Sequence, residues 1–317
     1  MVRHLSVTAA LTRRAFLHAT GLTATALSLG PLRSAVDAST TDAETPLIVD
    51  CHAHVYSEDE SKYPTIANPY RPPAGKGTSA HLRAQLSTAG VGFATAMQTS
   101  TFYGWDNQLL ADTARDNADL LVGVCTLNPD DAGSSALLVR YVRESNVRGL
   151  RSIPGKSGRY VDAGVETLWK AAERLGIVVN VNTNRDKRAE VEALARRHSG
   201  LKVVIDHCLY LTAGQNGEAA LGDMLRLAQL PNVYAKLSCV VTGSAESCPF
   251  ADMHEPCRKI IAAFGPDRCV WGSDFPCELW CPRATYIQHL RVFTHEMGLD
   301  VESKRWILGE TARRLYF

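Results

Sequence analysis

What this 317-residue chain lacks narrows its function before any motif is considered. It has no charge excess: 34 Lys and Arg against 33 Asp and Glu leave a formal net charge of +1. Nothing in that balance gives an electrostatic basis for holding nucleic acid or an anionic membrane. No GxGxxG follows the first strand-like run, which removes the usual support for a dinucleotide-binding fold. The cysteines include no CxxC pair, so a zinc ribbon is excluded. The apolar stretch near the start is short, rich in Thr and Gly and broken by Pro31, against the roughly 20 apolar residues that a membrane span needs. No low-complexity tract or solenoid repeat is present.

What remains is ordinary globular material, 45% hydrophobic and 21% charged, enough for a sizeable core. The first 45 residues differ from the rest. Arg13-Arg14 precede the moderately apolar segment 19–32 and small residues around Ala38, a pattern expected of a twin-arginine export signal followed by a short linker. The expected partner there is the twin-arginine export machinery, and the expected location is periplasmic or extracellular. Cleavage after Ala38 would remove four arginines and one aspartate, turning the net charge to −2. All nine cysteines follow this segment. Cys248 with Cys257, and Cys277 with Cys281, are loop-borne candidates for disulfides, whereas Cys125 and Cys269 lie in apolar runs and read as buried thiols.

From residue 46 to the C-terminus, eight short Val/Ile/Leu-rich runs follow one another at 47–55, 93–100, 121–128, 147–153, 177–183, 202–208, 233–238 and 269–274. Helical stripes separate them, such as Leu168/Ala172/Leu175, Val191/Leu194/Ala195 and Leu221/Met224/Leu225/Ala228. Strands alternating with helices of this length imply right-handed crossovers and a parallel sheet, and eight units predict an α/β fold of the (β/α)8 TIM-barrel type, one catalytic domain over 46–317. The proline-rich segment 56–76 reads as a long loop at the barrel mouth.

In such a barrel the C-terminal strand ends share one mouth. Strict alternation on the first strand puts Ile48, Asp50, His52 and His54 on one face. On the sixth it groups Val203, Ile205 and His207, and Asp274 ends the eighth. Two imidazoles on one strand suit a divalent ion such as zinc or manganese, and a carboxylate beside them can ligate it or take a proton from water. Alternation also sends Arg151 and Lys236 inward, either to meet a substrate carboxylate and ester carbonyl or to pair with acids such as Asp50. Gln98 and Asn182 are candidates for orienting substrate, and Tyr103, Trp105 and Trp280 for an apolar wall.

The motifs Asp50-Cys51-His52-Ala53-His54, Val204-Ile205-Asp206-His207, Tyr234-Ala235-Lys236-Leu237-Ser238 and Trp271-Gly272-Ser273-Asp274-Phe275-Pro276 resemble those of the amidohydrolase-related family, in particular its lactonase-like branch. The resemblance implies a (β/α)8 barrel with His52 and His54 as the first-strand pair, His207 as the sixth-strand histidine and Asp274 as the eighth-strand acid. Strand four offers Arg151 and strand five Asn180 and Asn182 where a binuclear site of that superfamily carries further ligands. One ion at most is therefore expected on His52, His54, His207 and Asp274, with metal-independent catalysis as the alternative. The implied activity is opening of a lactone or related cyclic ester, with Asp274 as base, His207 and Arg151 assisting, and Gln98, Asn182 and Lys236 binding substrate. The competing expectations are a metal-dependent decarboxylase on the same barrel and a binding protein that has lost catalysis.

Overall fold

The computed structural model describes residues 46–317; the expected export segment lies outside the described residues. Eight parallel strands are hydrogen-bonded in sequence order: β1 Val49–His54, β2 Phe93–Met97, β3 Leu121–Cys125, β4 Val147–Ser152, β5 Val178–Val181, β6 Val203–Ile205, β7 Val233–Lys236 and β8 Cys269–Val270. Each falls within the corresponding apolar run of the sequence. The sheet closes on itself where Cys51 N–H donates to Trp271 O at 3.1 Å and His54 N–H to Phe275 O at 2.8 Å. The architecture is the expected (β/α)8 barrel.

Two apolar layers hold it. Inside the barrel, Val49, Cys51, Val122, Val124, Val178, Val204 and Val270 pack together, and Ala312, Leu315 and Tyr316 of the C-terminal helix Thr311–Tyr316 pack with them. Outside, Ala53, Leu150, Val179, Val203, Ile205, Ala235 and Trp271 pack against the helices. The helix Ala163–Leu175 begins at Asp162, whose carboxylate accepts from Gly164 N–H, and ends at Gly176 with φ 66°. Those two caps fix its length, and it buries Val165, Leu168, Trp169 and Ala172. Each buried Val or Leu of these layers contributes about 1.5–3 kcal/mol. Among the described residues no helix is long and apolar enough to cross a membrane.

Three strands depart from strict alternation at the mouth, and β4 slips at its opposite end, where Gly123 pairs with Val147 but Val124 with Gly149. On β1 the register slips: Asp50 pairs with Ala94, but Ala53 with Ala96, so β1 spends one residue more than β2. This bulge lets Cys51 and His52 both face inward and turns Asp50 outward, correcting the expectation that Asp50 shares a face with His52. On β6, Val203 and Ile205 face the helices and Val204 the interior, the reverse of the expected phase. His207 still reaches the mouth, because His207, Cys208, Leu209 and Tyr210 all adopt left-handed backbone, with φ between 48° and 61°. β8 pairs for two residues only and continues extended to Asp274, itself at φ 56°.

Neither expected disulfide forms. All nine cysteines are free and only Cys248 is exposed. Cys277 and Cys281 point their thiols at the carbonyls of Ser273 and Val241 instead of at each other.

Candidate active site

The mouth is organised by one buried carboxylate. Asp206, fully enclosed, lies 3.0 Å from Arg151 Nε and 2.9 Å from Lys236 Nζ. These two cations hold it below the usual carboxylate range against the opposing effect of burial, which is the largest influence on it. The sequence named Asp206 only as part of a motif. Alternation gave no signal for it, because Val203, Val204 and Ile205 are apolar on both faces and leave the phase of β6 open. Arg151 and Lys236 therefore pair with Asp206, not with Asp50. Asp50 accepts from Ser273 N–H at 2.9 Å, Ser273 Oγ at 2.5 Å and Tyr286 Oη at 2.9 Å, tying the β1 bulge to the end of β8.

Above this pair sit the histidines. His52 and His54 bring their Nε2 atoms within 3.2 Å. Asp274 Oδ1 is 3.6 Å from the first and 3.8 Å from the second, and its Oδ2 is 4.0 Å from His207 Nδ1. His207 is anchored by Ser238 Oγ at 2.9 Å. Gly272 makes the close approach of β8 to β1 possible: a Cβ there would lie 2.8 Å from His52 Cβ and 3.0 Å from His52 N.

Burial removes charge from all three imidazoles. It pushes His207 down to about 3, with Arg151 and Lys236 adding to the effect against Asp206, and it holds His52 and His54 well below the usual histidine value. The same burial acts oppositely on Asp274, raising it to about 7 despite Arg151 nearby. A cluster of four polar groups thus contains one that exchanges a proton near neutrality, and it is the carboxylate.

The donor atoms of His52, His54 and Asp274 all lie within 4.8 Å of one another. Their separations of 3.2, 3.6 and 3.8 Å are comparable to the about 3.4 Å between ligands of a tetrahedral zinc with bonds of about 2.0–2.1 Å. In donor type and span this triad can take a divalent ion. His207 offers only its more distant ring to the same point and is not part of the triad.

A cavity of about 120 Å3 opens over these groups, lined by His54, Arg151, Asn182, His207, Tyr210, Asp274 and Trp280, with Ser100 and Thr101. Arg151 uses Nε on Asp206, and its two Nη groups make no hydrogen bond or ion pair among the described residues. Tyr210 closes one side: its ring stacks on His207 at 5.2 Å, and its hydroxyl donates to Asn182 Oδ1 at 2.6 Å. Trp280 forms the other wall, 5.6 Å from the His54 ring and covered by Tyr70 of the long loop at 5.2 Å. Tyr210 carried no sequence signal, since a left-handed turn without Gly or Asn cannot be read from composition.

Two expected substrate-binding residues lie elsewhere. Lys236 is wholly enclosed beneath His52, its ammonium committed to Asp206, Asn180 Oδ1 at 2.8 Å and His52 Nδ1 at 3.3 Å. Gln98 is buried and donates to the carbonyls of Gly104 and Asp106, both at 2.9 Å, so it pins the segment after β2. Of the expected aromatic wall, Trp280 lines the cavity. Trp105 is exposed away from it, and Tyr103 accepts from Ser57 N–H in a separate aromatic cluster.

Comparison with known proteins identifies the family and the fold. A sequence model of the amidohydrolase family matches residues 49–317. The L-fucono-1,5-lactonase of Burkholderia ambifaria is 36% identical over 86 residues, 26% of this chain and 29% of that enzyme. Among solved structures, a probable 2-pyrone-4,6-dicarboxylic acid hydrolase of Acinetobacter baumannii with citric acid bound aligns with TM-score 0.72 at 19% identity, covering 85% of this chain and 98% of that one. An amidohydrolase of Burkholderia multivorans with bound zinc aligns with TM-score 0.68 at 22% identity, over 85% and 99%. At such identities the two structures establish the fold.

Proposed function

This chain belongs to the amidohydrolase family, and from that premise we propose that it is a hydrolase that opens a lactone or related cyclic ester, with Asp274 as the proton carrier. The observation that carries the reading is Asp274 itself: pushed up to about 7, ringed by neutral imidazoles, and opening on a small cavity beside the unpaired edge of a guanidinium. The lactonase likeness over a quarter of the chain supports the substrate class.

In the proposed sequence the Asp274 carboxylate takes a proton from water as the water oxygen attacks the ester carbonyl. Arg151, through its free Nη groups, meets the negative charge that develops on the carbonyl oxygen. Collapse of the tetrahedral adduct breaks the ring C–O bond, and protonated Asp274 returns its proton to the departing alkoxide, giving the open hydroxy acid. The histidines cannot serve as acids here, since they are neutral near pH 7. Their role is to exclude bulk water and hold the attacking one. A divalent ion on His52, His54 and Asp274, when bound, would supply Lewis-acid polarisation and a more acidic water; zinc or manganese fits the donor set.

Purified protein offered a panel of 1,4- and 1,5-lactones and aromatic carboxylates tests the assignment. Acid release from at least one lactone, without carbon dioxide from the carboxylates, is expected. Carbon dioxide release with every lactone untouched would replace the reading with the decarboxylase one.

Export through the twin-arginine route completes the proposal, resting on Arg13-Arg14 and the segment after them. It accords with nine free cysteines, eight of them buried, in a protein folded before crossing. Replacing both arginines by lysine is expected to retain the protein in the cytoplasm; undiminished export of that variant would overturn this part.

A further inference from the structure

The triad has a metal-sized span, yet its protons are arranged against a metal. Lys236 is an ammonium that faces Asp206 Oδ1 in an ion pair at 2.9 Å and directs its protons to Asn180 Oδ1 at 2.8 Å, His52 Nδ1 at 3.3 Å and, more distantly, Met97 Sδ at 4.0 Å. The contact with His52 requires a lone pair on its Nδ1, so the proton of that neutral ring sits on Nε2. On His54 the order is reversed. Its Nδ1 lies 3.2 Å from Met97 O, which only accepts, so Nδ1 carries the proton and Nε2 the lone pair, and the Thr99 hydroxyl, 3.3 Å from Nδ1, serves as a second acceptor of that proton. His52 Nε2–H then donates to His54 Nε2 across 3.2 Å. A continuous chain results, from the Lys236 ammonium through both rings to a backbone carbonyl, with every proton placed.

A metal on this triad needs the lone pair of His52 Nε2, which moves the ring proton to Nδ1, directly against the ammonium. The usual metal-binding histidine donates that proton to a carboxylate or carbonyl. Asp206 Oδ1 is near enough to fill that part, 3.8 Å from His52 Nδ1, but the Lys236 ammonium, ion-paired with it at 2.9 Å, also faces Nδ1 and keeps a proton off that atom. Charge works the same way. Arg151 and Lys236 against Asp206 leave one net positive charge under the histidines, which disfavours a dication above them.

We propose that Lys236 is a positioning residue that sets the His52 tautomer and thereby holds the His52/His54/Asp274 triad at low affinity for divalent metal, favouring a hydrogen-bonded site. It acts through His52 and touches no substrate. The inference is read from metal content and ring protonation, so it stands or falls separately from the lactone assignment.

The test is zinc affinity of chelator-treated protein, measured by competition with a chromogenic chelator. Lys236→Met keeps the volume, removes the ammonium and leaves Asp206 paired with Arg151 yet free to accept from His52 Nδ1. Outer-shell partners of this kind change metal affinity by about 10–100-fold, so the variant is expected to bind zinc at least about tenfold more tightly than the parent. Adding Asp274→Ala to Lys236→Met is expected to abolish the gain. Equal or weaker zinc binding by folded Lys236→Met, or a gain that survives Asp274→Ala, overturns the proposal. Should Lys236→Met not fold, 15N-histidine spectra of the metal-free parent decide alone, with the His52 signal assigned by its loss in His52→Gln. A proton on Nε2 supports the proposal and a proton on Nδ1 overturns it.

Discussion

Strands β4, β5 and β7 differ from β1, β6 and β8 in one respect that separates scaffold from chemistry. The first three alternate regularly up to the mouth, β4 after a slip at its start, and their inward residues Arg151, Asn180 and Lys236 form the enclosed charged floor with Asp206. The other three break it: β1 by a bulge, β6 by a left-handed turn, β8 by leaving the sheet after two residues. Those three deliver His52, His54, His207 and Asp274, the groups that meet at the cavity. Regular pleating gathers side chains inside the barrel, as in the floor around Asp206, whereas each strand that brings a histidine or Asp274 to the cavity above it breaks the pleat to do so.

The comparison breaks hardest at Asp274. Asp274→Asn keeps the shape and removes the proton carrier, so kcat on the best lactone is expected to fall by about two to four orders of magnitude with the circular dichroism unchanged. Near-parental kcat in the folded variant would assign proton transfer elsewhere in the cluster. Metal content must be matched between the two proteins, because Asp274 also belongs to the triad.

Next in size is the pH response. The reaction needs ionised Asp274, which is pushed up to about 7, so kcat/KM is expected to rise with pH through that region and to fall about tenfold for each unit below it. Stability runs the other way. The carboxyl binds its proton more tightly folded than unfolded, so its ionisation penalises the folded state progressively from about pH 4 to about pH 7. Asp274→Asn is therefore expected to gain stability relative to the parent at pH 8, and not below pH 4. Denaturant midpoints at the two pH values check it.

The division also explains what the sequence disclosed. Strand positions, the barrel and the inward faces of β4, β5 and β7 were legible because alternation and βα spacing are local signals. His52, His54, His207 and Asp274 were legible as residues that end strands. The paths by which they converge were not: alternation alone put Asp50 beside His52, and the observed bulge turns it away to Ser273 and Tyr286. Lys236 and Gln98 read as substrate contacts because inward polarity does not reveal depth. A neighbour 30 residues away, Asp206, claims Lys236, and carbonyls of the next segment claim Gln98.

Two glycines sharpen the contrast at the level of stability. In Gly272→Ala the new Cβ meets His52 Cβ and N, at 2.8 and 3.0 Å, atoms that cannot move without the β1 bulge. A loss of about 1–3 kcal/mol is expected, together with a fall in kcat, because shifting a reacting constellation by about 1 Å can cost about a hundredfold. In Gly149→Ala, where β4 resumes alternation after the slip at its start, the contacts are side-chain atoms of Val124 and Asn180 at 3.1–3.2 Å, which can yield. The cost there is expected to be smaller and kcat to change less. Thermal melts and kcat of both variants give the comparison, and an equal response would remove the distinction between the two classes of strand end.

The smallest effect lies in the left-handed turn. Each L-residue held in left-handed helical backbone costs roughly 1–2 kcal/mol, and four in succession bring His207 over the mouth. Tyr210 is the one to relieve, because its side chain is half exposed while Cys208 and Leu209 are buried in the core. Tyr210→Gly removes its share of the strain, offset by the roughly 0.5–1 kcal/mol that a more flexible unfolded glycine costs. Net stability is expected to stay level or rise by up to about 1 kcal/mol. Function is expected to move oppositely: without the ring against His207 and the hydroxyl on Asn182, the cavity loses a wall and KM rises. Tyr210→Phe separates the two contributions, since it keeps backbone and ring and removes only the bond to Asn182. If Tyr210→Gly lost more than about 1 kcal/mol while Tyr210→Phe lost none, ring packing on His207 would outweigh the backbone cost, and the turn would be a relaxed element of the scaffold.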